Sequence, residues 1–270
     1  MAAIEAHDVQ QVGGAHDNED GQLAEDRRAL HDLLLGASRA VFFGGAGVST
    51  ESGIPDFRSA HGVYRTADGL GYPPETIVSH SFFEAHPREF WRFYRERMVF
   101  PDARPNACHR TLAALEAHGH LNAVVTQNID GLHQAAGSMN VFELHGSVHR
   151  NHCLGCGATF TLAEALALLD AAEDGVPRCP ACGAPVRPDV VLYEEPLDDL
   201  VMTRAVAAIA SADVLVVAGT SLAVWPAAGF LRYFRGDRLV VANMTPTSAD
   251  HDADLVLREP VGRLFDWVVS

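Results

Sequence analysis

The chain has 270 residues and a formal net charge of −15, with 48% hydrophobic and 20% charged residues. That length buries a large core, in one domain or in a large and a small one. The acidic balance argues against nucleic acid or a membrane surface as partner, since both demand a basic face. No apolar run reaches the ~18 residues needed to span a bilayer.

The N-terminal stretch MAAIEAHDVQQVGGAHDNED has no basic region followed by an apolar one and is not a signal peptide. Polar and acidic, residues 1–22 read as a disordered tail. From Leu23 to Ser38, leucines at 30, 33, 34 and 35 predict a helix. An apolar strand over 40–44 then enters a glycine turn, as in units that bind dinucleotides. The spacing is Gly45-x-Gly47-x-x-Thr50, with threonine where a third glycine is usual.

The segment 84–98 reads as a helix whose aromatics at 90, 93 and 94 form a buried stripe. A second helix is expected over 106–118, and strands over 122–130 and 141–146. The pattern repeats with a helix at 198–211, a strand at 213–221, a helical stretch AAGFLRYFR, a strand at 238–244 and a closing helix in PVGRLFDWVV. Strands alternating with helices predict an α/β fold with a Rossmann-like parallel sheet. In such sheets ligands bind beyond the carboxyl ends of the strands. Those ends carry Gly45-Ala46-Gly47, Gln127 to Asp130, His145-Gly146, Gly219-Thr220-Ser221 and Asn243.

Four of the five cysteines form two C-x-x-C pairs, Cys153/Cys156 and Cys179/Cys182, separated by 22 residues. Four thiolates at this spacing suit one tetrahedral zinc with no open coordination position, a structural ion in a ribbon inserted over 150–187. In a chain without an export signal, paired cysteines indicate metal in place of disulfides and a cytoplasmic location. Cys108, on a helix among alanines, reads as a core residue.

The motifs GAGVSTESGIPDFRS, TQNIDGLH, ELHGS, the paired C-x-x-C, RPDVVLYEE, GTSLAVWPAA and VVANM occur in the order found in sirtuins. From about Leu30 onward the chain resembles this family of NAD-dependent protein lysine deacylases, most closely its bacterial deacetylase type. The resemblance implies an NAD-binding domain made of 23–149 and 188–270, with NAD as co-substrate and acyl-lysine proteins as partners. The implied reaction cleaves the nicotinamide–ribose bond and moves the acyl group of a modified lysine onto the ribose.

By the same resemblance His145 is the catalytic base, and Asn128 and Asp130 orient the ribose and the nicotinamide amide. Cofactor contacts are implied for Ala46, Gly47, Thr50, Asp56, Phe57, Arg58, Gln127 and Ile129, and on the adenosine side for Gly219, Thr220, Ser221, Asn243 and Met244. The glycine loop is expected to let backbone amides approach the pyrophosphate. Phe57 is expected to cover the reacting carbon, and Arg58 to approach phosphate. A substrate peptide is expected to add as a strand between Val191/Tyr193 and Val224/Trp225/Pro226.

The chain departs from the family in having Tyr193-Glu194-Glu195 where many members have Phe-Gly-Glu; the extra carboxylate would favour basic residues beside the modified lysine. Tyr94 and Arg97, three apart on one helix face, match the pair used by desuccinylating relatives. Deacetylation is the main reading. Desuccinylation or longer-chain deacylation through Tyr94 and Arg97, mono-ADP-ribosyl transfer, and a non-catalytic zinc-ribbon binding protein are the alternatives.

Overall fold

A computed structural model describes residues 13–56 and 71–269, the side chains of 13–20 excepted. The first helix, α1, spans Gly13–Gly36 and so starts before Leu23, within the stretch read from composition as a disordered tail. Leu23, Leu30 and Leu34 are buried and fix the helix to the core. Once anchored, a helix extends at one hydrogen bond per residue without a new nucleation cost, even through polar sequence.

Strand β1, Ala40–Gly44, is buried at every residue, as a central strand covered on both faces must be. The helix expected over 84–98 is divided. After α2 (Pro74–Ile77), α3 runs over His80–Ala85 and α4 over Pro87–Arg97, with Pro87 in the first turn of α4. Proline lacks an N–H and pushes the residue before it out of the helical region; His86 sits at φ −136°, ψ 53°. Phe90, Phe93 and Tyr94 are buried as expected, and Trp91 with them. Helix α5, Ala107–Ala117, is capped by Asn106, whose side chain accepts from the His109 N–H. Cys108 is fully buried in the core beneath it. Strand β2 (Leu121–Thr126), α6 (Leu132–Ala136) and β3 (Val141–Glu143) complete the first half.

The chain then makes β4 (Gly146–Cys153), β5 (Thr159–Thr161), α7 (Leu162–Asp170) and β6 (Val186–Val190). It returns through α8 (Asp199–Ser211), β7 (Val214–Ala218), a 3-10 stretch Ala227–Tyr233 and β8 (Arg238–Ala242). The expected closing helix is reduced to α9, Val261–Leu264. Before it lies a short strand absent from the sequence reading, β9, Leu255–Leu257. Three residues carry too little alternation to declare themselves.

The six main strands are parallel, in the order β3-β2-β1-β7-β8-β9. Successive strand residues feed opposite cores, as a period of two requires. Phe42, Val124, Val216 and Val240 pack with Leu30, Leu112 and Phe265, whereas Val41, Phe43, Val125 and Leu215 pack with Ala205, Ile209 and Phe230. The order reverses direction between β1 and β7, the place where doubly wound sheets open a crevice. No helix among the described residues is long and apolar enough to cross a membrane.

A separate three-stranded antiparallel sheet, β5-β4-β6, carries the cysteines. It runs from Gly146 to Val190, beyond both ends of the expected 150–187 insert. The two C-x-x-C turns are built alike. Cys153 N–H donates to Ala158 O and accepts back through its carbonyl from Gly157 N–H; Cys179, Ala184 and Gly183 repeat the arrangement. Gly157 and Gly183 take the same left-handed φ, 71° and 74°. The four sulfur atoms lie within 4.8 Å of one another, with Cys153–Cys182 at 3.4 Å and Cys156–Cys179 at 3.7 Å. Tetrahedral zinc–thiolate bonds of about 2.3 Å put sulfurs about 3.8 Å apart, so the set fits zinc. Cys179→Ser is expected to abolish stoichiometric zinc and cost about 4 kcal/mol, roughly 10 °C in Tm. Melts of metal-replete and chelator-treated chain check this; superimposable melts would contradict a structural ion.

Candidate active site

Beyond the ends of β1 and β7 two glycine loops meet backbone to backbone. Gly45 N–H donates to Ala218 O at 3.1 Å, and Gly47 N–H to Gly219 O at 2.8 Å. A Cβ on Gly47 would stand 2.8 Å from Gly219 Cα, and one on Gly45 would stand 2.8 Å from Thr220 Cβ. The glycines of the first loop are therefore required by the second loop, a role distinct from the expected approach to pyrophosphate. Thr50, the anomaly of the glycine pattern, closes the turn by donating its hydroxyl to Gly47 O at 3.0 Å.

A polar chain crosses the cleft beneath these loops. Asn128 Nδ2 donates to Ser49 Oγ (3.0 Å), and Ser49 Oγ donates to Asp130 Oδ2 (2.7 Å). Asp130 Oδ1 accepts from Leu132 N–H at 2.9 Å. Burial pushes the Asp130 carboxyl above its ordinary value, while the Leu132 and Ser49 hydrogen bonds oppose that rise. His149 donates from Nε2 to Asp130 O at 2.9 Å. Gln127 Nε2 reaches Thr220 Oγ1 at 3.0 Å and so joins the two halves of the sheet. Ser49 and His149 were not singled out from the sequence. A serine between the glycine pair and Thr50 was the available signal for the first; a lone strand histidine offered none.

His145 is held from two sides by main chain. Its Nδ1 lies 2.9 Å from Gln127 O; a carbonyl only accepts, so Nδ1 carries the proton and Nε2 is the basic nitrogen. Its own carbonyl accepts from Val191 N–H at 3.0 Å. Nε2 has no hydrogen-bond partner among the described residues. Burial lowers the imidazole pKa below 6.5, against a smaller upward pull from the Gln127 bond. The ring is thus neutral, and able to accept a proton, near pH 7.

These groups face one cavity of about 1070 Å³. It is lined by Ala46, Gly47, Thr50, Asp56, Gln127, Asn128, Ile129, Asp130 and His145. On the other side of the switch point it is lined by Gly219, Thr220, Ser221, Asn243 and Met244. Val191, Tyr193, Val224, Trp225 and Pro226 line it too, as do Tyr94 and Arg97. Phe57 and Arg58 lie outside the described residues. Val191 N–H is spent on His145 O, and Tyr193 N–H on Val78 O. Leu192 N–H, between them, is taken by Glu195, so none of the three backbone N–H groups of 191–193 is left for a peptide strand.

The two carboxylates of the Tyr-Glu-Glu departure differ. Glu195 accepts from Arg187 at 2.7 and 3.1 Å, from Leu192 N–H at 2.9 Å and from His80 at 2.8 Å. Burial raises its pKa, but Arg187, Leu192 N–H and His80 outweigh that and hold the carboxyl at about 2. Among the described residues Glu194 accepts only from Ser81, at its N–H and its hydroxyl, both at 2.9 Å.

A family profile described as Sir2 family matches residues 45–226. An NAD-dependent protein deacetylase of Clostridium acetobutylicum is 52% identical over 240 residues, covering 89% of this chain and 96% of that one. One from Cutibacterium acnes is 56% identical over 232 residues, covering 86% and 93%. Among solved structures, a Sir2–peptide–NAD+ complex matches with a TM-score of 0.77 at 36% identity, covering 88% of this chain and 95% of that one. A Sir2 bound to acetylated peptide matches at 0.76 and 35%, covering 88% and 94%. Fold, cysteine cluster and cleft agree with these likenesses, and the chain belongs to the Sir2 family.

Proposed function

We propose that the chain removes acetyl groups from protein lysines at the expense of NAD, and that His145 is its catalytic base. The observation that carries this is the pinned imidazole: Nδ1–H on Gln127 O, a depressed pKa, and a basic Nε2 on the cavity wall. NAD supplies a ribose carbon made reactive by departure of nicotinamide. The acyl oxygen of the modified lysine takes that carbon. His145 Nε2 would then accept the proton of a ribose hydroxyl, whose oxygen bonds to the acyl carbon; the C–N bond breaks, the lysine amine leaves with that proton, and water opens the bridged acyl group to leave O-acyl-ADP-ribose.

Asn128 and Asp130, tied together through Ser49, present an amide and a carboxylate at fixed orientation to ribose and nicotinamide. Such preorganisation lowers the cost of binding the reactive conformer. The chemistry requires that water be kept from the ribose carbon, which hydrolysis would otherwise consume. A cytoplasmic location fits four reduced thiolates held as metal ligands.

A second acyl preference is favoured by one observation. The Tyr94 hydroxyl is buried without a hydrogen-bond partner, and Arg97 on the same cavity wall has no ion-pair partner among the described residues. A buried unsatisfied hydroxyl costs about 1–3 kcal/mol. A succinyl carboxylate would satisfy both groups, whereas an acetyl group satisfies neither.

Nicotinamide release with acetyl-, succinyl- and longer acyl-lysine peptides tests the reading. Acetyl turnover is expected to exceed succinyl turnover; a succinyl preference abolished by Arg97→Met would reverse the order. His145→Ala is expected to cost roughly 10²–10⁴-fold in kcat. Because the neutral ring is the active form and its pKa is depressed, the acidic limb of kcat/KM should fall below pH 6.5. A limb at or above pH 6.5 would count against His145 as base. Ser49→Ala should raise KM for NAD roughly tenfold, by stranding the Asn128 amide and Asp130 carboxylate. An unchanged KM would show that the two residues hold their places without the bridge.

A further inference from the structure

We propose that Glu194 and Trp225 form a receptor for a positively charged side chain flanking the acyl-lysine, so that the substrates are basic segments. The inference rests on the deacetylase reading, which places a peptide between 191–194 and 223–226. It begins from a backbone anomaly. Glu194 has φ +77°, a left-handed conformation that a residue with a side chain adopts at a cost and that glycine adopts freely. The position is the one at which the resemblance expects glycine. A glutamate kept there, at the wall of the substrate cavity, is the kind of strained residue that clusters at ligand sites.

Its carboxylate is both fixed and uncompensated. The two Ser81 hydrogen bonds orient it, but both donors are neutral. No cationic group pairs with it among the described residues, and it is exposed. Glu195 beside it differs, because Arg187 already neutralises that charge. Ser79 is already the N-cap of α3, accepting from Phe82 N–H. Glu194 takes another donor of the same helix end, Ser81 N–H, a capping role that a neutral acceptor would fill as well, so capping alone does not call for a charge here.

From the facing segment comes an exposed indole. Trp225 is 70% exposed and lines the same cavity. Its ring rests on Gly229, where a Cβ would stand 2.5 Å from Cζ3; the ring occupies that place only because residue 229 is glycine. The six-membered ring is thus held against the fold at Gly229, and most of the indole stays exposed to a ligand. A guanidinium or ammonium group is attracted to an indole face and, unlike an exposed ion pair, loses little of that attraction to salt. The surroundings agree in sign. Among the described residues, Glu51, Asp56, Asp130 and Glu194 line the cavity against Arg97 and Arg104, with Glu195 already paired to Arg187, and the chain as a whole carries −15.

The test compares acetyl-lysine peptides carrying Arg, Ala or Glu beside the modified lysine, by kcat/KM and by calorimetric binding to the full chain, at low and high ionic strength. The Arg peptide is expected to exceed the Ala peptide by roughly tenfold at low salt, with the Glu peptide below both. Glu194→Gln keeps a hydrogen-bond acceptor for Ser81 and should remove the salt-sensitive part of the Arg/Ala ratio. Glu194→Gly, which also relieves the left-handed backbone, should do the same even if the glutamine variant folds poorly. Trp225→Ala should lower the ratio that persists at high salt by roughly threefold, and Trp225→Phe by less. Equal handling of the three peptides by the parent, or a ratio unchanged in both Glu194 variants, overturns the proposal. Charge-selective binding without turnover of any peptide would instead sink the deacetylase reading and leave the receptor standing.

Discussion

The site depends on one contact, the meeting of the 45–47 loop with Gly219 and Thr220 at the point where strand order reverses. It is made of backbone alone: Gly47 N–H on Gly219 O at 2.8 Å, with no room for a Cβ on Gly45 or Gly47. Because β1 and β7 are neighbours in register from Ala40/Val214 to Gly44/Ala218, closing their loops on each other fixes both strand ends at once. Gln127 can then span to Thr220, and Ser49 can reach Asn128 and Asp130. A side chain at Gly47 would push the loops apart and loosen every one of those bonds. The glycines thus act on the nucleotide cleft through its walls.

Much of this was legible in the sequence, for reasons that differ by element. The parallel sheet was visible because its central strands are continuous apolar runs ending in glycine or polar residues. The cysteine pairs and His145, the candidate base, were visible through ordered motifs. What escaped depends on context that no local pattern encodes. Helix α1 reaches back to Gly13 because tertiary anchoring at Leu23, Leu30 and Leu34 carries it through polar sequence. The break at Pro87 was written in the sequence but overridden by the aromatic stripe that continues past it. Ser49 could be recognised only once Asn128 and Asp130, some 80 positions away in the chain, were seen on either side of it. The meaning of Glu194 also changed. Sequence showed one carboxylate added beside another, and only the structure separates Glu195, paired with Arg187, from Glu194, which has no cationic partner among the described residues.

The zinc ribbon acts on the same cleft without touching the chemistry. Four thiolates leave no open coordination position, so the ion's influence must be mechanical. Strand β4 begins at Gly146, the residue after His145, and ends at Cys153; β6 begins at Val186 and ends at Val190. Pairing runs from Gly146↔Val190 at one end to Cys153↔Val186 at the other. The metal end and the base end are therefore opposite ends of one strand pair. The register shifts between Ser147 and Asn151, so the cysteines set the pairing from Cys153 back to Asn151, while Gly146↔Val190 and Ser147↔Asp189 form a separate run beside the Val191 N–H that holds the His145 carbonyl. A Cβ on Gly146 would stand 2.0 Å from Asp189 O, so this pair admits no sideways slip at the base.

The same strand pair carries the charge arrangement at the substrate wall. Arg187, opposite His152 in β6, reaches out of the ribbon to clamp Glu195, which also binds His80 of α3 and the Leu192 N–H. That clamp ties ribbon, helix and cavity wall together at a carboxyl held near 2, well below any working pH. Because Glu195 is committed to the fold, it is not available to a ligand, and selectivity at this wall falls to Glu194. Two adjacent glutamates thus differ in role, the half-buried one tying the ribbon to α3 and the cavity wall and the exposed one lining the cavity without a cationic partner among the described residues. The carboxylate of Glu194 is not among the groups that shift the His145 pKa, which answers to burial and to the Gln127 bond, so a charge at this wall leaves the imidazole neutral.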